Sequence, residues 1–269
     1  GPVVVQQSVV EQAGIETAFI HFGTSAAFGD YDRDGFLDLH VNEWGNTRYE
    51  PPSLWSHVRV LRNQAADNPG HFQDTTLQTG IYLDDIIGYG ANDDRPGVFS
   101  FSSSWIDLDR DGHTDLAIAG DFHTSQIFWN NGDNTYTRAP GPNDPNPSGH
   151  GTDENGMGSA LADINGDGLL DSFVTSIYDE NEPCPQVALC NWNSSGNRLY
   201  LNNGDRTFTD ATDAWGVRDG AWGWVTAVFD YDNDGDLDLT MTNGMVGRNP
   251  ALDPVEVDTM KLWSNEGGE

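Results

Sequence analysis

The chain has 269 residues, and 43 acidic against 12 basic side chains give it a formal net charge of −31. A surface so acidic excludes nucleic acid and anionic membrane as partners, and no apolar run reaches the length of a membrane-spanning helix. The length suits one large β domain or a ring of repeated units.

In chain order, Val3 to Ile15 reads as an outer strand, because it matches the later segments ending Thr79-Gly80-Ile81 and Trp215-Gly216-Val217. A first repeat over 16–81 holds a small-residue strand, Ser25 to Gly29, an acidic loop from Asp30, a strand over Leu37 to Val41 and a last strand at His71 to Thr76. The second, 98–140, has its loop from Asp107, a strand at Leu116 to Ala119 and an aromatic strand, Gln126-Ile-Phe-Trp-Asn-Asn-Gly132. In the third, 157–217, the strands are Gly158 to Ala162, Leu170 to Val174, Arg198 to Gly204 and Thr207 to Thr212. The fourth, 221–269, runs from Trp224 to Phe229 through Leu237 to Met241 and ends on Lys261 to Gly267, where a fourth strand is due. The predicted role of residues 1–15 is to supply that strand and clasp a ring shut, hiding edges that would otherwise invite aggregation.

Every repeat carries Asp-x-Asp/Asn-x-Asp-Gly-x-x-Asp. The copies place Asp30, Asp32, Asp34 and Asp38; Asp107, Asp109, Asp111 and Asp115; Asp163, Asn165, Asp167 and Asp171; and Asp230, Asp232, Asp234 and Asp238 at positions 1, 3, 5 and 9. Position 7, whose backbone carbonyl completes the set, is Phe36, His113, Leu169 and Asp236. Hard oxygen donors around a glycine turn suit calcium, so about four Ca2+ ions are expected. An EF-hand is excluded: position 12, where it needs a bidentate glutamate, is Val41, Ile118, Val174 and Met241. The flanks alternate as short strands do, and Asn-Asn-Gly-Asp is hairpin chemistry. Four antiparallel strands with a recurring loop make a propeller blade, so the fold class is an all-β propeller in a single domain.

The stretches Gly29 to Leu39, Gly196 to Asp210 and Gly220 to Leu239 resemble FG-GAP/VCBS repeats, the calcium-loop propeller repeats of integrin α-subunit heads, in a form most similar to bacterial relatives of cartilage acidic protein. The resemblance implies a propeller that holds calcium structurally. Integrin-type rings have more blades than the four loops here, which leaves a four-bladed ring and a piece of a larger array both open.

Blade topology puts the acidic loops and hairpins at one end and the segments 42–58, 82–97, 139–156, 178–196 and 244–259 at the other. These long segments carry Trp44, Tyr49, Trp55, His57, Tyr89, His150, Tyr178, Trp192 and Arg248, the candidate recognition surface. Cys184 and Cys190 bracket a short loop and favour a local disulfide in an oxidising compartment, two reduced thiols being the other reading. With a mature-looking start at Gly1-Pro2 and a glycosylation sequon at Asn193, the expected location is extracellular or periplasmic. For catalysis, Asp84, Asp85, Asp153 and Glu154 could form an acid/base pair and His57 or His150 a base, but no spacing demands it. The leading expectation is a calcium-stabilised binding or scaffold module for adhesion to a protein or glycan; the alternative is a propeller carbohydrate-active enzyme such as a polysaccharide lyase or dehydratase.

Overall fold

The computed structural model describes residues 13, 23–46, 58–65, 67–81, 97–178, 194–244 and 259–267. Four antiparallel units follow one another. The first is β1 (Gly23–Gly29), β2 (Asp38–Asn46), β3 (Arg59–Asn63) and β4 (Phe72–Asp74), closed by the short helix α1 (Thr76–Thr79). The second is β5 (Gly97–Ile106), β6 (Asp115–Gly120), β7 (Gln126–Asn130) and β8 (Tyr136–Arg138). The third is β9 (Ser159–Ala162), β10 (Asp171–Val174), β11 (Arg198–Asn202) and β12 (Phe208–Asp210), and the fourth is β13 (Gly223–Phe229), β14 (Asp238–Asn243) and β15 (Lys261–Trp263). Within each unit every strand pairs antiparallel with the next in sequence, a meander. The first strands β1, β5, β9 and β13 lie side by side in that order. The molecule is therefore all-β, with curled antiparallel sheets in a propeller-like arrangement. Among the described residues no helix is long and apolar enough to cross a membrane.

The alternation of each second strand explains how the units stack. In β6, Leu116 and Ile118 face unit 1 and join Tyr31, Val58, Val60, Ile81, Phe128 and Tyr136 in one core. Ala117 and Ala119 face the other way, into a core with Ile127, Trp129, Val174, Tyr200 and Phe208. A third core, around Phe173, Leu199, Val217 and Leu239, joins units 3 and 4. A strand buried on both faces reads as a continuous apolar run, which is why Leu-Ala-Ile-Ala carries no polar residue.

One register is fixed four times over. Asp38, Asp115, Asp171 and Asp238 pair with Gly29, Ile106, Ala162 and Phe229, the last residues of the preceding strands. Between units 1 and 2 the sheet is continuous, because the end of β2 pairs with the start of β5 at Trp44↔Phe99, Gly45↔Val98 and Asn46↔Gly97. This junction was not legible in the sequence. The expected closing strand lies outside the described residues, apart from Ala13, whose carbonyl accepts the Phe72 amide at 2.7 Å and sets that residue beside β4.

Candidate functional site

The acidic loops share one hydrogen-bond pattern. The first aspartate caps the turn by accepting the amide of the glycine at position 6: Gly35 N to Asp30 Oδ2 (3.0 Å), Gly112 N to Asp107 Oδ2 (2.9 Å), Gly168 N to Asp163 Oδ2 (2.8 Å) and Gly235 N to Asp230 Oδ2 (3.1 Å). These glycines have φ between 86° and 103° (Gly35 89°, Gly168 87°), left-handed backbone that a side chain would strain. The last aspartate is a buried pin. Asp115 accepts Leu108 N (2.9 Å) and Asn130 N (2.8 Å), tying its loop to the third strand, and Asp38, Asp171 and Asp238 do the same in their units.

Several of these clusters could hold a metal ion. Asp30, Asp32 and Asp38 offer oxygens within 4.8 Å of one another, as do Asp107, Asp109 and Asp115, and Asp230, Asp232 and Asp234. Two observations fit a cation. Asp107 Oδ1 and Asp163 Oδ1 are buried without any hydrogen-bond partner, and a buried carboxylate oxygen left unpaired is costly unless an ion completes it. Burial also pushes Asp38 and Asp115 up to about 7, with the neighbouring loop aspartates adding to the rise; a cation at this point would hold them ionised. Asn165 keeps the third loop less acidic and donates to Asp167 Oδ2 (2.9 Å). Arginines brace two loops from outside: Arg62 reaches Asp32 (2.5 Å) and Asp34 (3.0 Å), and Arg206 of unit 3 reaches Asp109 (2.5 Å) of unit 2 across the Trp129 ring.

At the other end of the units, residues from several strands converge. Trp44 stands edge-on to Phe99 (5.4 Å), tilts against Phe101 (6.4 Å) and donates from Nε1 to Asp121 Oδ2 (3.2 Å). Phe101 in turn meets Trp224 edge-on at 5.8 Å. Just past β6, Asp121 is raised to about 6 by burial, against which the Trp44 and Phe122 N–H donors act. Phe122 and His123 both have positive φ, 53° and 62°, a strained pair for residues with side chains. Behind them runs a buried polar chain. Ser125 Oγ donates to Asp153 Oδ2 (2.5 Å), Tyr200 OH donates to Asp153 Oδ1 (3.0 Å), and the Arg198 guanidinium links Thr152 and the Ser195 region to Glu154 (3.8 Å).

Of the residues singled out from sequence, Trp44 and Tyr178 lie half-buried at this end. His150 does not lie on the surface. It is 4% exposed, packed on Tyr200 (4.4 Å) and Phe208 (5.4 Å), and burial lowers it to about 3, leaving it neutral. Segment 148–150 is held inward because Phe208 N donates to Ser148 O (2.7 Å). Asp153 is likewise wholly buried, so it is no exposed partner for Glu154. Tyr49, Trp55, His57, Asp84, Asp85, Tyr89, Cys184, Cys190, Trp192 and Arg248 lie outside the described residues. Sequence reasoning missed Asp121, Phe101, Trp224 and the Arg198–Tyr200 network. Arg198 had a signal: it opens an otherwise apolar strand, Arg-Leu-Tyr-Leu.

An all-β, propeller-like scaffold with acidic loops able to hold metal is the class these observations define. The profile of the FG-GAP-like repeat matches residues 107–174 and 185–240, so the chain carries FG-GAP-like repeats at two stretches. No curated protein sequence matches the chain. Among solved structures it is similar to a lectin of Agrocybe aegerita described for recognition of non-reducing terminal N-acetylglucosamine, at 19% identity and a TM-score of 0.39, covering 82% of this chain and 46% of that one. It is also similar to a GH43_1 enzyme from Xanthomonas citri, at 12% identity and a TM-score of 0.40, covering 88% and 71%. The chain thus spans less than half the length of the lectin structure.

Proposed function

We propose that the chain is a calcium-stabilised extracytoplasmic propeller module that recognises a neutral glycan through its long-loop end. The observation that carries the calcium reading is the pair of buried, unpartnered oxygens, Asp107 Oδ1 and Asp163 Oδ1, each inside an acidic loop. The ligands would be the side chains at loop positions 1, 3, 5 and 9, with the carbonyls of Phe36, His113, Leu169 and Asp236. Bound calcium would neutralise carboxylates that otherwise repel one another. Loops of this kind saturate most readily where calcium is abundant, outside the cytoplasm.

The glycan reading rests on Trp44, Phe101 and Trp224 grouped beside Asp121: aromatic faces pack against the apolar side of a sugar ring, and a carboxylate accepts from its hydroxyls. A charge of −31 disfavours acidic glycans and so points to neutral ones. Titration calorimetry against a panel of neutral oligosaccharides tests this. Binding that Trp44→Ala abolishes in a folded protein is expected; binding untouched by Trp44→Ala moves the site elsewhere. A second reading, a carbohydrate-active enzyme, is favoured by Asp121 itself, a half-buried acid raised toward neutrality as a general acid requires. Under that reading Asp121→Asn stops bond cleavage in a polysaccharide while leaving binding in place.

A further inference from the structure

The acidic loops of units 1, 2 and 3, each followed by a further unit in the chain, treat their middle pair of side chains alike. At positions 3 and 5 one oxygen of each is turned onto the loop's own backbone. Asp32 Oδ1 accepts Asp34 N (3.3 Å) and Asp34 Oδ1 accepts Phe36 N (2.9 Å). Asp109 Oδ1 accepts Asp111 N (3.1 Å) and Asp111 Oδ1 accepts His113 N (2.8 Å). In the third loop Asn165 Oδ1 accepts Asp167 N (3.0 Å) and Asp167 Oδ1 accepts Leu169 N (2.8 Å). The outer atoms of each pair are then bridged by a donor, which comes from a different place each time.

In unit 1 the donor is Arg62, the residue before the last of β3, with Nε on Asp32 Oδ2 (2.5 Å) and Nη2 on Asp34 Oδ2 (3.0 Å). The equivalent residue of unit 2, before the last of β7, is the uncharged Trp129. Arg206, from the hairpin between β11 and β12 of unit 3, lies over that indole ring at 5.3 Å. It sets Nε 2.6 Å from Asp109 Oδ2 and Nη2 3.4 Å from Asp111 Oδ2. In unit 3 the equivalent residue is Leu201, and among the described residues no guanidinium reaches the pair. There the bridge is internal, from Asn165 Nδ2 to Asp167 Oδ2 (2.9 Å). Two unrelated positions in the sequence thus deliver a guanidinium to the same two oxygens, and the loop without one carries an amide in place of a carboxylate.

The arginine side chains are 41% and 43% exposed. Ion pairs so open to water add little to stability, so their consequence lies in the charge they leave on the loop. Loops 1 and 2 each have four ligand carboxylates and one guanidinium touching them, a net −3; loop 3 reaches −3 with three carboxylates and Asn165. Affinity for a divalent cation follows that charge.

We propose that Arg62, Arg206 and Asn165 are affinity-setting residues that level the three loops, lowering their attraction for calcium to one value so that all three fill over the same range of concentration. This rests on the calcium reading above. None of the three roles is that of a motif carboxylate: Arg62 and Arg206 stand outside the motif, and Asn165 acts through the charge it omits.

The test uses the full chain, isotope-labelled, with free calcium set by a chelator buffer at low salt. The amide signals of Gly35, Gly112 and Gly168 report one loop each, since each donates to the position-1 carboxylate of its loop. In the parent protein their midpoints should lie within about tenfold of one another. Arg62→Met should move the Gly35 midpoint to roughly tenfold lower calcium, Arg206→Met that of Gly112 and Asn165→Asp that of Gly168. The two untouched glycines in each variant keep their midpoints and show that it is folded. Arg62→Lys and Arg206→Lys keep the charge and lose the fork, so they should stay within about threefold of the parent. A midpoint that methionine leaves in place or raises overturns the proposal. So do parent midpoints spread more widely, and so does a lysine variant that behaves like the methionine one, because the fork and not the charge would then be at work. If none of the three signals responds to calcium in the parent, the calcium reading itself falls and takes the proposal with it.

Discussion

Tyr200→Phe deletes a single oxygen from a wholly buried side chain, and the structure allows its cost to be worked out. The ring keeps its packing against His150 at 4.4 Å. The hydroxyl, however, accepts the amides of Thr152 (2.9 Å) and Asp153 (3.0 Å) and donates to Asp153 Oδ1 (3.0 Å). Two orphaned amides, one buried and one part-buried, at about 1–3 kcal/mol each, with the lost donor to a carboxyl group, sum to roughly 4 kcal/mol. In a protein of this size that lowers the melting temperature by roughly 8–16 °C. Tyr136→Phe is the internal control: its hydroxyl bonds Thr114 O (2.8 Å) and Asn130 Nδ2 (3.0 Å), and Asn130 retains other acceptors, so about 1 kcal/mol is lost. Urea denaturation of both variants in calcium, followed by tryptophan fluorescence, gives the two costs. Equal costs would refute the view that the Tyr200 hydroxyl organises segment 152–154.

Asp107→Ala and Asp163→Ala should each lower the calcium stoichiometry by one ion in titration calorimetry, and excess chelator should lower the melting temperature of the parent protein; an unchanged transition would sink the structural-calcium reading. Buried His40 and His150 are both lowered to about 3 by desolvation. As pH falls below 6.5 the unfolded chain takes up their protons first, so stability is whole above that value and declines by roughly 1.4 kcal/mol per pH unit for each histidine down to about pH 3. His150→Phe should remove one histidine's share of that slope, as stability curves at pH 6 and pH 4 would show. Arg206→Ala breaks a largely exposed contact to Asp109, so its cost should stay below about 1 kcal/mol and vanish in high salt.

The acidic loops and their flanking strands could be read from sequence because each loop satisfies its own backbone locally, through residues spaced two to seven apart. What converges from different units could not be read in that way. Asp121 and Trp44 are 77 positions apart, and nothing in Gly-Asp-Phe-His marks a left-handed pair. His150 was misplaced for a more instructive reason. Ile81, Val217 and His150 each follow a glycine after a blade's outer strand, and they are 0%, 2% and 4% exposed. The position is a core position whatever occupies it, but a histidine amid Pro, Asn and Ser looks solvated, whereas isoleucine and valine do not. The β2–β5 pairing stayed hidden because its strand extension enters a segment dense in Gly and Asn, where strand propensity is weak.

That pairing gives the molecule an unequal mechanical grain. Units 1 and 2 are stitched by main-chain bonds at Trp44↔Phe99, Gly45↔Val98 and Asn46↔Gly97 as well as by their apolar contact. The named strands of units 3 and 4 form separate sheets, joined to their neighbours by packing, side-chain bonds and isolated main-chain bridges, Asp121↔Asn155 between units 2 and 3 and Ile177↔Trp222 between units 3 and 4. A load applied along the chain would therefore open the single-bridge junctions first and leave the laddered pair of units 1 and 2 as the last to yield.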